Sequence, residues 1–262
     1  METLKALTDF YSNYDEEGRL LSKHGQVEYL TTMRYIDKFL QPGMRILEIG
    51  AATGRYSHAL ARRGYQVDAV ELIQHNIDIF NTLTQTGENV TIRQGNAKDL
   101  SFIGDETYDI TLLLGPMYHL FTVEDQLQAL REAIRVTKKG GILFVAYCGN
   151  DATMVQYCFG RGMLKEDKYR KLVDPVTFKA ASDPAELFEL YRKEDIDELI
   201  SHFNVQRLHY IGTDMATNYM RPVIDEMDDE FFALYLKYHF TICERADMVG
   251  TSHHILDVLR KE

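Results

Sequence analysis

Up to the Gln41-Pro42-Gly43 stop the chain carries a helical pattern. Val27, Leu30, Met33, Tyr35, Ile36 and Phe39 recur at helical spacing, after an interruption at Gly18. Beyond the stop the pattern changes. Short apolar runs at residues 45–49, 66–71, 90–94, 108–114 and 141–147 alternate with amphipathic stretches at 55–63, 74–85 and 125–137. The runs predict strands and the stretches between them helices. Strands alternating with helices predict an α/β fold with a parallel sheet and helices on both faces.

After Tyr147 the regularity stops. Residues 148–193 are rich in Tyr, Lys and Asp and show no clean period. Long excursions from a compact domain are disproportionately functional, so this one is expected to cap a ligand. Periodicity returns with a helix over 193–202, a strand over 205–211, one long helix over 222–244 and a last strand over 254–260. The chain therefore divides into a helical N-terminal arm or lid (1–42), a ligand-binding core (43–147), an insertion or substrate cap (148–193), and a segment that completes the core sheet (194–262).

Charge narrows the partners. The 262 residues carry a formal net charge of −11, and the acidic run Asp225, Glu226, Asp228, Asp229, Glu230 would repel a phosphate backbone. The basic clusters are small: Arg62-Arg63, and Lys165, Lys168, Arg170 and Lys171. No apolar stretch approaches the roughly 20 residues of a membrane span, and Met1 to Phe10 lacks the apolar region of a signal peptide. Cys148, Cys158 and Cys243 are too few and too scattered for a disulfide framework. A cytoplasmic protein with a small-molecule partner fits best.

The chemistry starts at Glu48-Ile49-Gly50-Ala51-Ala52-Thr53-Gly54, where a buried strand turns into a helix. Glycines at Gly50 and Gly54 permit unusual dihedrals and close approach of a ligand, and the helix presents unpaired N–H groups to it. A dinucleotide loop needs glycines at the positions of Gly50, Ala52 and Arg55, so that reading fails. The surviving pattern, acid-x-Gly-x-x-x-Gly, resembles motif I of class I S-adenosylmethionine-dependent methyltransferases, with Ala52 where that family usually has a third glycine. Glu71 ends the second strand about 20 residues on, where a carboxylate suits the two hydroxyls of a ribose. Gly95-Asn96-Ala97 follows the third strand, where such enzymes place a short polar side chain against the adenine amino group. The string from Arg131 to Gly141 is similar to the family's helix-to-strand junction.

The fourth strand ends in Leu114-Gly115-Pro116-Met117-Tyr118-His119-Leu120. Nucleobase-amino methyltransferases carry Asn/Asp-Pro-Pro-aromatic here; the missing amide or acid argues against adenine N6 methylation, and no Pro-Cys nucleophile is present. The string instead resembles Gly-Pro-Leu-Tyr-His-Leu of a small-molecule-type bacterial branch. That branch has an N-terminal segment like Tyr14-Asp15-Glu16-Glu17-Gly18-Arg19-Leu20, followed by His24-Gly25 and Glu28. The resemblance spans residues 10–145 and the last third only in outline. It implies a seven-stranded, doubly wound, mostly parallel sheet with an antiparallel last strand, a helical N-terminal arm and an insertion after strand five.

It also implies a cofactor, S-adenosylmethionine, leaving as S-adenosylhomocysteine. Glu48, Gly50, Ala52, Gly54, Glu71, Leu72, Asn96, Ala97 and Leu114 would bind it, with Tyr11, Tyr14 and Arg19 closing the arm over it. For a hydroxyl acceptor His119 is the candidate general base, since imidazole titrates near neutrality, although a His between Tyr118 and Leu120 also suits a structural role. Tyr118 would orient the acceptor or touch the methionine part. His253-His254 shows no matching acid cluster, so no metal is expected. The expected activity is methyl transfer to an O or N atom of a small molecule. The alternatives are a tRNA methyltransferase acting on an anticodon nucleotide, with Arg221 joining the 165–171 lysines and arginine, and a cofactor-binding protein without catalysis.

Overall fold

The computed structural model describes residues 2–14, 16–183 and 188–262. Asp15, one of the arm residues quoted above, lies outside them. The arm is α1 (Glu2–Asn13), a single turn α2 (Glu16–Arg19) and α3 (Lys23–Asp37). The break falls beside Gly18, and Ser22 restarts the helix as its N-cap by accepting from the Gly25 N–H. The core follows as β1 (Arg45–Ile49), α4 (Arg55–Arg62), β2 (Gln66–Glu71), α5 (Gln74–Leu83), β3 (Val90–Gln94), β4 (Tyr108–Leu113), α6 (Val123–Val136) and β5 (Thr137–Gly149).

The excursion after β5 holds more order than its sequence shows. α7 (Asn150–Thr153) runs into a π-helical turn, Met154–Phe159; α8 (Asp167–Arg170) and a two-residue strand β6 (Leu190–Tyr191) follow. Then come α9 (Lys193–Ser201), β7 (Val205–Gly212), α10 (Arg221–Asp225), α11 (Asp229–Ile242) and β8 (His254–Lys261). The single long helix expected over 222–244 is in fact two. Asp228 adopts an extended conformation and its side chain accepts from the Phe231 N–H, capping a new helix in place of continuing the old one. None of the described helices is long and apolar enough to cross a membrane.

The strands form one sheet in the order β3-β2-β1-β4-β5-β8-β7, with β6 beside β5 as a short eighth member. β1 to β6 pair in parallel, and β8 runs antiparallel to both β5 and β7. The sheet is thus doubly wound and mostly parallel with an antiparallel last strand, as expected. Successive side chains alternate between its faces. Ile46, Ile110, Leu112 and Phe144 pack with Tyr35 and Ile36 of α3 and Tyr56 and Leu60 of α4. Leu47, Ile49, Leu113 and Val145 pack on the other face with Ala129, Leu130 and Ala133 of α6 and Ile196 and Leu199 of α9. Both faces are covered at the centre of the sheet, which is why β4 and β5 read as near-continuous apolar runs. Each fully buried Leu, Ile, Val or Phe among them contributes roughly 1.5–3 kcal/mol. The strand order reverses between β1 and β4, and ligands of such sheets bind in the crevice beyond the carboxyl ends at that point.

Candidate active site

The turn after β1 is held open by close packing that only glycine allows. Gly50 has φ +75°, and a Cβ there would come within 2.6 Å of the Pro116 ring in the turn after β4. Gly54 has φ +89° and faces the Phe80 ring, where a Cβ would sit 2.4 Å away. Ala52, in the place of the family's third glycine, also has positive φ, at 47°. The turn therefore keeps the glycine conformation while carrying an alanine.

Glu71 closes the turn from below. Its Oε2 accepts from the Ala52 N–H at 2.8 Å, and its Oε1 from the Ile73 N–H at 2.9 Å and the Asn76 amide at 3.4 Å. A carboxylate has about four acceptor sites, so Oε2 keeps one for a ligand hydroxyl. Burial raises the Glu71 pKa, partly offset by these donors. Glu48 lies deeper. It is buried, accepts from the Ser57 hydroxyl of α4, and burial pushes its pKa up to about 8. It ties β1 to α4 beneath the turn.

The remaining expected ligands split into two groups. Asn96 follows β3, where its Oδ1 accepts from the Lys98 N–H at 3.0 Å, a turn-forming bond that uses one lone pair of the oxygen expected to meet adenine. Ala97 is buried in the core, while Leu72 and Leu114 are half-buried at the ends of β2 and β4. Arg19 is bonded to Glu28 at 2.7 and 3.3 Å. Tyr14 stacks on Phe10 at the tip of the arm, with ring centroids 5.0 Å apart.

His119 and Tyr118 sit where the arm, the β4 turn and the insertion meet. The Tyr11 hydroxyl and His119 Nε2 are 2.8 Å apart, and Phe188 lies against both the His119 and Tyr118 rings. Tyr118 donates to the Leu114 carbonyl at 2.9 Å, and the Glu189 N–H and Tyr191 hydroxyl donate to the carbonyls of Tyr118 and Met117. The insertion is thereby fastened to the β4 turn, and α1 crosses onto α5. Beneath the arm and the insertion lies a cavity of about 720 Å³, lined by Tyr118, Glu28, Met154, Tyr157, Leu172 and His254 among others.

What stands beside His254 was not read from the sequence. Asp214, just past β7, and Glu28 of α3 approach its Nδ1 at 2.7 and 3.3 Å. An acid cluster therefore does accompany the His253-His254 pair. Asp214 follows the glycine that ends β7, and an acid beyond the carboxyl end of a strand was the available signal.

The groups around the turn fit an adenosine cofactor: a carboxylate with an acceptor site left beside a glycine turn, and a helix N-terminus facing the same crevice. Comparison with known proteins agrees. Residues 47–145 match the family described as "Methyltransferase domain". The chain is 30% identical over 187 residues to the demethylmenaquinone methyltransferase of Clavibacter sepedonicus, covering 71% of each protein. It is 31% identical over 105 residues to a ubiquinone biosynthesis O-methyltransferase of Caulobacter vibrioides; that match spans only 40% of the relative's length. Its fold is like that of the magnesium protoporphyrin IX methyltransferase of Synechocystis PCC 6803 with bound SAH, with a TM-score of 0.61, 11% identity and coverage of 99% and 100% of the two chains. The chain belongs to the class I S-adenosylmethionine-dependent methyltransferase family.

Proposed function

We propose that this protein transfers a methyl group from S-adenosylmethionine to an O or N atom of a small molecule bound beneath the 148–193 insertion. The observation that carries this reading is the cavity of about 720 Å³ that borders Tyr118 at the turn after β4. Its volume is that of a small-molecule site, and it adjoins the crevice where the strand order reverses. The names of the Clavibacter and Caulobacter relatives, a demethylmenaquinone methyltransferase and a ubiquinone biosynthesis O-methyltransferase, support a small-molecule acceptor.

S-adenosylmethionine supplies, when bound, a methyl group already activated by its sulfonium. The protein's share is binding, orientation and exclusion of water. Glu71 takes a ribose hydroxyl on Oε2, the Gly50–Gly54 turn accommodates the close approach of the ligand, and Asn96 meets the adenine edge. Tyr118 orients the acceptor from the β4 turn. His119, bonded to Tyr11, latches the arm shut; we assign it that role in place of a general base. Arg19, held by Glu28, is the arm's cation for the methionine carboxylate.

Part of the cationic set that tRNA binding would need is engaged within the protein. Arg221 donates inward to Asn218 and to the Tyr157 hydroxyl, and Lys168 and Arg170 pair with Glu166 and Asp167 beside them. The test is incubation with methyl-labelled S-adenosylmethionine and either a metabolite extract or total tRNA. Label in a small molecule is expected. Label confined to tRNA overturns the acceptor class, and cofactor binding without label in either leaves a binding protein.

A further inference from the structure

α11 carries apolar side chains on both of its sides, although only one side packs on the protein. Phe232 and Ile242 are buried, and Phe232 joins Val27 of α3 and Ile224 of α10, with Tyr235 and Leu236 packed against them. On the opposite side Phe231, Leu234 and Tyr238 are 55%, 59% and 54% exposed. Their spacing, i, i+3 and i+7, puts them in one stripe along the helix. Single exposed apolar residues are ordinary, but a helix that is apolar all round is normally covered on every side. Among the described residues none of α11 lines the cavity beneath the insertion, so the stripe serves no ligand there.

The charges beside the stripe indicate what covers it. At about 100° per residue, Phe231 and Tyr238 stand about 40–60° to one flank of Leu234, and Glu230 and Lys237 stand as far to the other. Glu230 and Lys237 are both exposed, and neither has an ion-pair partner among the described residues. The acid lies about a turn before Leu234 and the base about a turn after it. A two-fold axis beside Leu234, at right angles to the helix, runs a second copy antiparallel and keeps each flank on its own side. It sets Leu234 against Leu234 of the second copy. Glu230 then falls within one residue, about 1.5 Å along the helix, of Lys237 of the second copy. Phe231 meets Tyr238 of the second copy in the same near register. The stripe is thus complementary to itself in apolar pattern and in charge, as an isologous interface requires.

Other occupants fit less well. Asp225, Glu226, Asp228, Asp229 and Glu230 crowd the N-terminal end of the stripe, and an anionic membrane surface would be repelled there. A basic peptide would answer those acids and leave Lys237 facing a like charge.

We infer that α11 is the interface of a symmetric dimer, in which two copies pack antiparallel about Leu234 with Glu230 of each paired to Lys237 of the other. The apolar stripe supplies the attraction, and the two ion pairs set direction and register. The inference is independent of the methyl-transfer reading, since α11 contributes nothing to the cavity.

Sedimentation equilibrium of the full chain tests it. A mass twice that of one chain is expected at micromolar concentration. Leu234→Asp puts two carboxylates at the centre of the pair and should sediment as a monomer with its circular dichroism unchanged. Glu230→Lys and Lys237→Glu each bring like charges together, and each should weaken the dimer by at least about tenfold. The double variant restores opposite charges and should recover the parent's dissociation constant. It keeps whatever each substitution does within its own helix, so recovery reports pairing between copies. A monomeric parent, a dimer that survives Leu234→Asp, or a double variant as weak as the single ones overturns the inference. A monomeric parent that floats with vesicles of anionic phospholipid, and loses that on Leu234→Asp, gives the face to a membrane instead. S-adenosylhomocysteine affinity should be the same in the parent and Leu234→Asp, so failure here leaves the methyl-transfer reading standing.

Discussion

The Glu71 carboxylate holds the Ala52 N–H at 2.8 Å, so the group at the end of β2 also sets the turn after β1. The proposed ribose ligand is thereby also the group that shapes the crevice. Glu71→Ala removes both and is predicted to weaken S-adenosylmethionine binding by at least about tenfold, or about 1.4 kcal/mol. Calorimetry checks this; unchanged affinity would show that Glu71 is not the ribose ligand.

Ala52 occupies a left-handed conformation at φ 47° that glycine adopts without steric cost. Ala52→Gly relieves that strain and loosens the unfolded chain, two effects of opposite sign. The left-handed penalty of about 1–2 kcal/mol exceeds the chain-entropy cost of about 0.4–1 kcal/mol. Urea denaturation should show the variant more stable by up to about 1 kcal/mol.

Glu48 gives a pH dependence. Its folded pKa of about 8 stands above its ordinary 4.5, so the folded state holds a proton that the unfolded state releases between those values. Its contribution is complete below about pH 4.5 and is lost as pH rises through about 8, at about 1.4 kcal/mol per pH unit. Glu48→Gln keeps a partner for Ser57 without the ionisation. Its stability should match the parent near pH 5 and exceed it near pH 8; a constant difference across that range would refute a protonated Glu48.

Asp214→Ala leaves the His253 and His254 N–H groups and the Ser252 hydroxyl without their shared acceptor, and the half-buried His254 imidazolium without one of its two counter-charges. Breaking such a buried pair costs about 3–5 kcal/mol. A thermal or urea midpoint should fall accordingly. Affinity for S-adenosylhomocysteine should change little in the fraction that folds, because the crevice lies across β5 and β4 from this cluster.

What was legible in the sequence follows from distance along the chain. β1, the glycine turn and α4 lie within eighteen residues, and their apolar run, stop and restart are local signals. Glu71 was recognisable because parallel strands impose a regular interval. His254 meets Glu28 more than two hundred positions away, and Asp214 forty positions away, through an antiparallel pairing that no local period encodes. The split at Glu226-Met227-Asp228 was hidden for a different reason. Its acids suit a helix interior and a helix start equally well in a one-dimensional pattern, and only the Asp228 cap decides between them. Arg19 and Asn96 were read for ligands; the protein also gives each an internal partner.

The central claim is tested most directly by calorimetric titration of the purified chain with S-adenosylmethionine and S-adenosylhomocysteine. Saturable binding of both, at one site per chain, is the predicted result. Absence of binding by either compound would contradict the account.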